Sequence, residues 1–467
     1  MKFGVIPILV ALSVSCAARS GSPARVATEA ISETSVRSHM EFFASDAMNG
    51  RGSGTRDEWI AATYIAAHLR RWGLEPLGDD GGYVQAIAIE RPELAAAPVL
   101  SVGDRRFVHG KEITVASMTA PRISGPLTRH QPGGVVARGA VLLLPELTRE
   151  MGEALAPAAL VLARQNGCGP SRGQPGALPR MSPRTVGVQP AAARPACVAL
   201  DGATYAVMEG VAAGATVSLE GVVKNVTRST TWNAVGRVTG SDPQRAQDVI
   251  LLSAHLDHLA PRPNPPSPAA SARQDAGAGA DNIFNGADDD ASGSIAVMEL
   301  AEAIARGPRP KRTIVFAWFG SEEAGGTGSR FFADKPVVPL DRIIANLQFE
   351  MIGRPDAKVP PHTLWLTGYE RSTLGPELAR RGAKLVQDPH PEQSFFTRSD
   401  NIQFARRGVV AHTVSSFGLH KEYHTPADEI RFIDFPHMTD AIRSMLAPIL
   451  WLADSAFKPG WLPGKKP

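Results

Sequence analysis

The sequence predicts an α/β fold, a mostly parallel central sheet with helices on both faces, and a β-rich inserted segment. Three observations carry this expectation. In the C-terminal half, continuous apolar runs alternate with amphipathic helical stretches, the pattern of parallel strands covered on both faces. His and acidic residues fall at the ends of those runs, where open α/β sheets place their sites. Between residues 92 and 229 the texture changes to short β-like runs separated by Pro and Gly.

The chain has 467 residues, 43% hydrophobic and 20% charged, a globular and not a disordered composition. Its formal net charge of +3 is small, and no basic run is interleaved with aromatics, which argues against nucleic acid as a partner. Residues 1–18 read as an export signal: Lys2, the apolar core "FGVIPILVALSV", then "SVSC" ending at Cys16. The core is too short to anchor a helix across a bilayer. Cys16 after small residues resembles a bacterial lipoprotein box, with Leu12 one place early. The expectation is a cell-envelope lipoprotein lipidated at Cys16; the alternative is plain cleavage near Ala17–Ala18, giving a periplasmic or secreted protein. Export lets Cys168 and Cys197 form a disulfide, against the alternative of two buried thiols.

Within residues 30–91, "SVRSHMEFFASDAMNGRGSGTRDEWIAATYIAAHLRRWGLEP" reads as a helix, a polar Gly-rich turn and a second helix. Trp59, Ile60, Ala62, Tyr64, Ile65, Ala67 and Leu69 give that second helix a broad apolar face, and Gly73 stops it. Residues 92–229, with "PVLSV", "GAVLLLP", "PAALVLA" and "TVSLEGVV", carry few groups capable of chemistry and read as a separate, mostly β module. In residues 230–457, "DVILLSAHLDH", "RTIVFAWFGSEE" and "RIIANLQFEMIG" are buried strands ending in polar groups. "SGSIAVMELAEAIARG" is an amphipathic helix closed by Gly307. Residues 261–280, rich in Pro, Ala and Gly, read as a loop beside the presumed site.

Ligand-type residues occur at five places: His255, Asp289 in "GADDDASG", Glu322–Glu323, Glu350 and His424. Each has a plain reading alone. A His at a strand end is commonly a structural hydrogen-bonder, a Glu pair complements a helix N-terminus, and "DDDASG" could cap the helix that follows. Its spacing fails the calcium-loop pattern. Together, two imidazoles and three carboxylates at element ends match what a pair of zinc ions requires: nitrogen and oxygen ligands, one shared carboxylate and positions open to water.

The blocks "LLSAHLDHL", "NGADDDASGS", "FAWFGSEEAGGTGSRFF", "NLQFEMIGRP" and "FFTRSDNIQFARRGV" followed by "YHTPADE" resemble, in this order, the zinc aminopeptidase family. That family includes secreted bacterial aminopeptidases and, more distantly, glutamate carboxypeptidase and glutaminyl cyclase. "FFASDAMNGRGSGT" resembles its longer members, and residues 92–229 resemble their protease-associated insert. The resemblance implies two zinc ions per chain and peptide substrates with a free N-terminus. It implies that Asp289 bridges the metals, with His255 and Glu350 completing one site and Glu323 and His424 the other. Glu322 would be the general base and Tyr423 a donor to the oxyanion. Asp257 would orient His255, and Asp290 would share a cis peptide with Asp289. Arg398 and Asp400 would contact substrate or order their loop. Many members carry Asp where this chain has Glu350.

Two other readings share the fold: a carboxypeptidase or glutaminyl cyclase, and a binding protein without catalysis. His258 reads as local polar structure and Asp288 as turn or support. His362, His390, His412, His420 and His437 lack a partner motif, and "NVT" at Asn225 is discounted as a glycosylation signal in a bacterial-type exported chain.

Overall fold

The computed structural model describes residues 31–261, apart from short stretches between 132 and 194, and residues 281–467. The leader with Cys16 and the loop after Pro261 lie outside them. Helix α1 (Glu33–Phe43) starts where the Ser32 hydroxyl accepts from the Ser35 N–H. Helix α2 (Arg56–Arg71) starts at Thr55, which accepts from the Glu58 N–H. Both are side-chain N-caps. Gly73 follows α2 with φ 76°, the left-handed stop that glycine adopts without strain. Glu58, Ala61, Ala62, Ile65 and Leu69 form the buried stripe of α2. Trp59, read above as part of that face, is 46% exposed, because one residue step turns it about 100° off the stripe.

The main sheet contains β1 (Val84–Leu94), β2 (Val223–Val238), β3 (Val249–His255), β4 (Thr313–Phe319) and β5 (Ile343–Phe349). It continues with β6 (Leu364–Leu366), β7 (Leu385–Gln387) and β8 (Ala411–Ser415). Their spatial order is β1-β2-β4-β3-β5-β8-β6-β7, and two short strands bring the sheet to ten. The centre, β4-β3-β5-β8, is parallel; the β1–β2, β2–β4 and β6–β8 pairs are antiparallel. Helices α3 (Gly293–Arg306), α4 (Thr327–Asp334) and α5 (Phe435–Asp454) complete the layers.

Alternation along β3 shows why both faces are covered. Ile250, Leu252 and Ala254 join the core shared with α1, α3 and α5, while Val249 and Leu251 join the one containing Phe332 and Ala333 of α4. Such a strand is buried at every residue, which explains its unbroken apolar run. A second sheet of nine strands has its own core around Leu100, Leu127, Leu162, Val198 and Leu219. Cys168 and Cys197 are bonded as a disulfide. No described helix is long and apolar enough to cross a membrane.

His412 of β8 is a core histidine, its nitrogens bonded to the Thr367 carbonyl and the Ser372 hydroxyl, each at 2.7 Å. Burial lowers its pKa to about 4 from an ordinary 6.5. Between those pH values the unfolded chain binds a proton that the folded chain does not, so stability falls as pH drops through this window. From pH 7 to pH 5 the loss on this imidazole is about 2 kcal/mol. Urea unfolding of the wild type and His412→Gln at both pH values measures it. The variant should show the smaller pH dependence, and equal dependences would contradict the assignment.

Candidate metal and active site

The parallel centre of the sheet brings its strand ends to one edge. His255 ends β3, Glu322 and Glu323 follow β4, Glu350 follows β5 directly, and His424 lies in the turn beyond β8. Asp289 lies in the turn Ala287–Ser292 that runs into α3. Its Oδ1 is 3.2 Å from His255 Nε2 and its Oδ2 3.0 Å from His424 Nε2. One carboxylate therefore faces two imidazoles from its two oxygens, the arrangement a bridging ligand needs. His424 Nε2 is also 3.0 Å from Glu323 Oε1. Glu350 lies within electrostatic reach of His255 and Asp289 and accepts a hydrogen bond from Ser399.

His258 departs from the sequence reading. It is wholly buried, and its Nδ1 lies 2.9 Å from Glu323 Oε1 and 3.8 Å from Asp289 Oδ2. His258, Asp289, Glu323 and His424 each present a ligand atom within 4.8 Å of the others. Buried Glu323 Oε1 has no hydrogen-bond partner. Two imidazoles and two carboxylates converging with an orphaned oxygen are a donor set suited to a borderline cation such as zinc.

The acidic run separates into distinct jobs. The Asp289–Asp290 peptide is cis, as the resemblance implied. Asp290 accepts from the main-chain N–H groups of His255, Gly293 and Met351 at 3.0–3.1 Å, tying β3, α3 and the end of β5 together. A side chain at Gly293 would bring Cβ to 2.2 Å from Asp290 Oδ1 and 2.3 Å from the Phe349 carbonyl, so only glycine fits. Asp288 is support: it accepts from Gly353 N–H and Ser292 Oγ and faces His420 Nε2 at 3.0 Å. Asp428 accepts from the N–H groups of Asp288 and Asp289. The sequence reading gave no role to His420 or Asp428.

Asp257 meets His255 through its main chain. The Asp257 carbonyl is 3.1 Å from His255 Nδ1, while its carboxylate is 3.8 Å away. That carboxylate instead accepts from the Glu322 N–H and the Ser53 hydroxyl. Ser53 belongs to an N-terminal stretch that supplies two more buried groups. Glu58 accepts from the N–H groups of Gly54 and Ser321 and from Thr231 Oγ1, fixing Ser321 at φ 54° just before the Glu pair. Arg51 donates to the carbonyls of Phe43, Leu256, Asn285 and Gly286. Burial lowers its pKa to about 10, against the pull of Asp257, Asp428 and Asp289.

The two adjacent glutamates titrate apart. Burial pushes the Glu322 carboxyl well above the usual range, opposed by His255 and reinforced by Asp400 and Glu350. Burial and Asp289 raise Glu323 too, but the imidazoles of His258 and His424 win and hold it at about 2. Burial raises Glu350 and Asp400 to about 7. Arg398 lines a cavity with Glu350, Trp365, Phe395, Phe417 and Tyr423, its guanidinium 4.8 Å from the Phe395 ring centre. Asp400 is buried against Ser329, so of the two candidate substrate contacts only Arg398 reaches the cavity.

Arg51→Lys removes the planar fork and leaves buried carbonyls unpaired, each costing about 1–3 kcal/mol. Denaturant unfolding should show the variant destabilised by roughly 2–4 kcal/mol; a change within about 0.5 kcal/mol, as at ordinary surface sites, would show that the clamp does not hold these segments.

Residues 233–448 match the model of peptidase family M28. A leucine aminopeptidase 2 from Trichophyton equinum is 29% identical over 209 residues, 43% of this chain and 37% of that protein. The chain thus spans well under two thirds of that relative's length. An aminopeptidase from Aneurinibacillus sp. strain AM-1 shares the fold, with a TM-score of 0.52 at 18% identity, covering 95% of this chain and 97% of that one. A zinc aminopeptidase from Bacillus subtilis does so with a TM-score of 0.50 at 18% identity over 92% of this chain and 97% of that one. Residues 233–448, which carry these strand ends and the acidic turn, are thus the part of the chain similar to peptidase family M28.

Proposed function

We propose that the chain is an exported metallo-aminopeptidase that holds two zinc ions and releases N-terminal residues from peptides. His255, Asp289 and Glu350 would hold one ion; Asp289, Glu323 and His424 would hold the other. Zinc, when bound, polarises a carbonyl and lowers the pKa of water. The observation that carries the reading is Asp289, whose two oxygens face His255 and His424 at 3.2 and 3.0 Å; the divergence of Glu322 and Glu323 agrees with it. Paired groups whose surroundings push their pKa values apart mark an acid–base assignment. Glu323 is kept ionised among imidazoles, as a ligand must be. Glu322, with its N–H held by Asp257, keeps proton affinity high enough to take a proton from the attacking water and pass it to the leaving amine.

Tyr423 stacks on His424 with ring centres 3.8 Å apart and lines the cavity beside Glu350. Burial, then Asp289 and Glu323, push its phenol above the ordinary value, so it stays protonated and donates to the developing oxyanion. The cavity's Trp365, Phe395, Phe417 and Met351 suit an apolar N-terminal side chain, and the surrounding carboxylates attract the free amine. The longer Glu350 offers the same ligand oxygen as the Asp of many family members, with Ser399 steadying it. Export is supported by the leader-like residues 1–18 and by the Cys168–Cys197 disulfide, a bond of oxidising compartments.

One observation favours a second reading, carboxypeptidase action: Arg398 sets a guanidinium in the cavity wall, where a substrate carboxylate could pair with it. A panel of aminoacyl chromogenic substrates and N-blocked peptides, assayed with zinc, decides between them. Cleavage of free-amine substrates, lost on chelation and restored by zinc, is expected; cleavage of blocked substrates alone would overturn the aminopeptidase reading. Glu322→Gln should keep its zinc and lose about 100- to 10,000-fold in kcat. Loss of zinc instead would mean that the roles of the two glutamates are exchanged.

A further inference from the structure

The geometry points to His258 as a third imidazole ligand, completing with Asp289, Glu323 and His424 a four-ligand metal position. The inference rests on the metal-centre reading above and concerns a residue outside its ligand set.

His258 is held rather than free to turn. Its N–H donates to the Arg51 carbonyl at 3.1 Å, and it bridges Gly52 in a short parallel pairing. Gly286 presses on the ring so closely that a Cβ there would lie 2.6 Å from His258 Cγ and Cδ2. Across the site, its ring meets that of His424 edge-on with centres 5.7 Å apart.

A plain buried histidine satisfies its nitrogens with protein partners, as His412 does. His258 does not: neither Nδ1 nor Nε2 has a hydrogen-bond partner. Nδ1 comes within 2.9 Å of Glu323 Oε1, an ion-pair distance, yet neither atom makes a hydrogen bond. Two lone-pair atoms that approach without aiming at each other are placed to share a third atom. The ligand spacings agree with this. His258–Glu323, His258–Asp289, His424–Asp289 and His424–Glu323 measure 2.9, 3.8, 3.0 and 3.0 Å. They scatter about the edge of a tetrahedron with zinc–ligand bonds of 2.0–2.1 Å, which is about 3.3 Å.

The consequence is a division of labour. Four protein ligands close a zinc position as structural sites are closed. The position of His255, Asp289 and Glu350 keeps fewer protein ligands.

Two measurements on the full chain test this. X-ray absorption on the zinc-loaded wild type counts imidazoles: three over the two ions are expected, and two would overturn the proposal. Zinc titration with a chromophoric competitor, and the visible spectrum after cobalt substitution, compare wild type with His258→Ala. The variant should hold one ion as before and bind the other more than about 100-fold more weakly, beyond the roughly 10- to 100-fold cost of losing an outer partner. The intense absorption of four-coordinate cobalt should fade with it. Unchanged affinity and spectrum would overturn the proposal while leaving the metal-centre reading intact. A wild type that binds no metal would end both. Unfolding midpoints of the metal-free forms show whether the substitution has damaged the fold, and in that case the imidazole count on the wild type decides alone.

Discussion

The site is governed by the cost of burying carboxylates. Asp257, Asp288, Asp289, Asp290, Asp400 and Asp428 are all buried, with Glu322, Glu323 and Glu350 only partly shielded. An ionised carboxylate removed from water costs several kcal/mol unless hydrogen bonds or opposite charge replace its hydration. The fold divides the carboxylates between these two remedies. Asp290, Asp428 and Asp257 accept from main-chain N–H groups, which stabilise charge without adding a cation. Asp289 and Glu323 face imidazoles. Glu322, Glu350 and Asp400 receive too little of either, and their pKa values rise. The dications proposed above would supply what this last group lacks.

The same division explains why the main chain bends as it does. A carboxylate that accepts three N–H groups draws three segments to one point, and Asp290 does this for the ends of β3 and β5 and the start of α3. Gly293 follows as a necessity, since any side chain there would collide with that carboxylate. The acidic turn is thus the joint of the sheet edge as well as part of the site.

Much of this was legible in the sequence because parallel strands buried on both faces must be continuously apolar, and the first polar residue beyond each run marks its end. His255, Glu322, Glu323 and Glu350 stand at such ends. Asp289 was singled out from its neighbours only by the family resemblance. His258 stood outside the expected ligand set for a physical reason: three positions past the end of β3 there is no period left to say which way a side chain points. Asp428 sits in a turn where an acid is the commonplace residue. Asp257 meets His255 through its carbonyl and the Glu322 N–H through its carboxylate, a distinction no residue pattern encodes. Trp59 shows the opposite error, an aromatic assigned to the core by its type although its angle on α2 faces solvent.

Arg51, Ser53 and Glu58 could not have been found by local pattern, since these partners lie 205, 204 and 263 residues on in the chain. They also change what counts as the functional unit. The family match begins at residue 233, yet without these three groups the carbonyls of Leu256, Asn285 and Gly286, the Ser321 N–H and one oxygen of Asp257 would lose buried partners. Each unpaired group costs about 1–3 kcal/mol, so a domain cut at 233 would carry the ligands without what aims them. The long β-rich segment between the two parts is tolerated because β1 and β2 pair from Val84–Ala234 out to Leu94–Val223. That ladder closes the segment's ends together, so its length adds only a slowly growing closure entropy. Thr231 and Asn233, on the return strand, then reach Glu58 and the turn before the glutamate pair, so the strand that closes the β-rich segment also holds the N-terminal helix against the site.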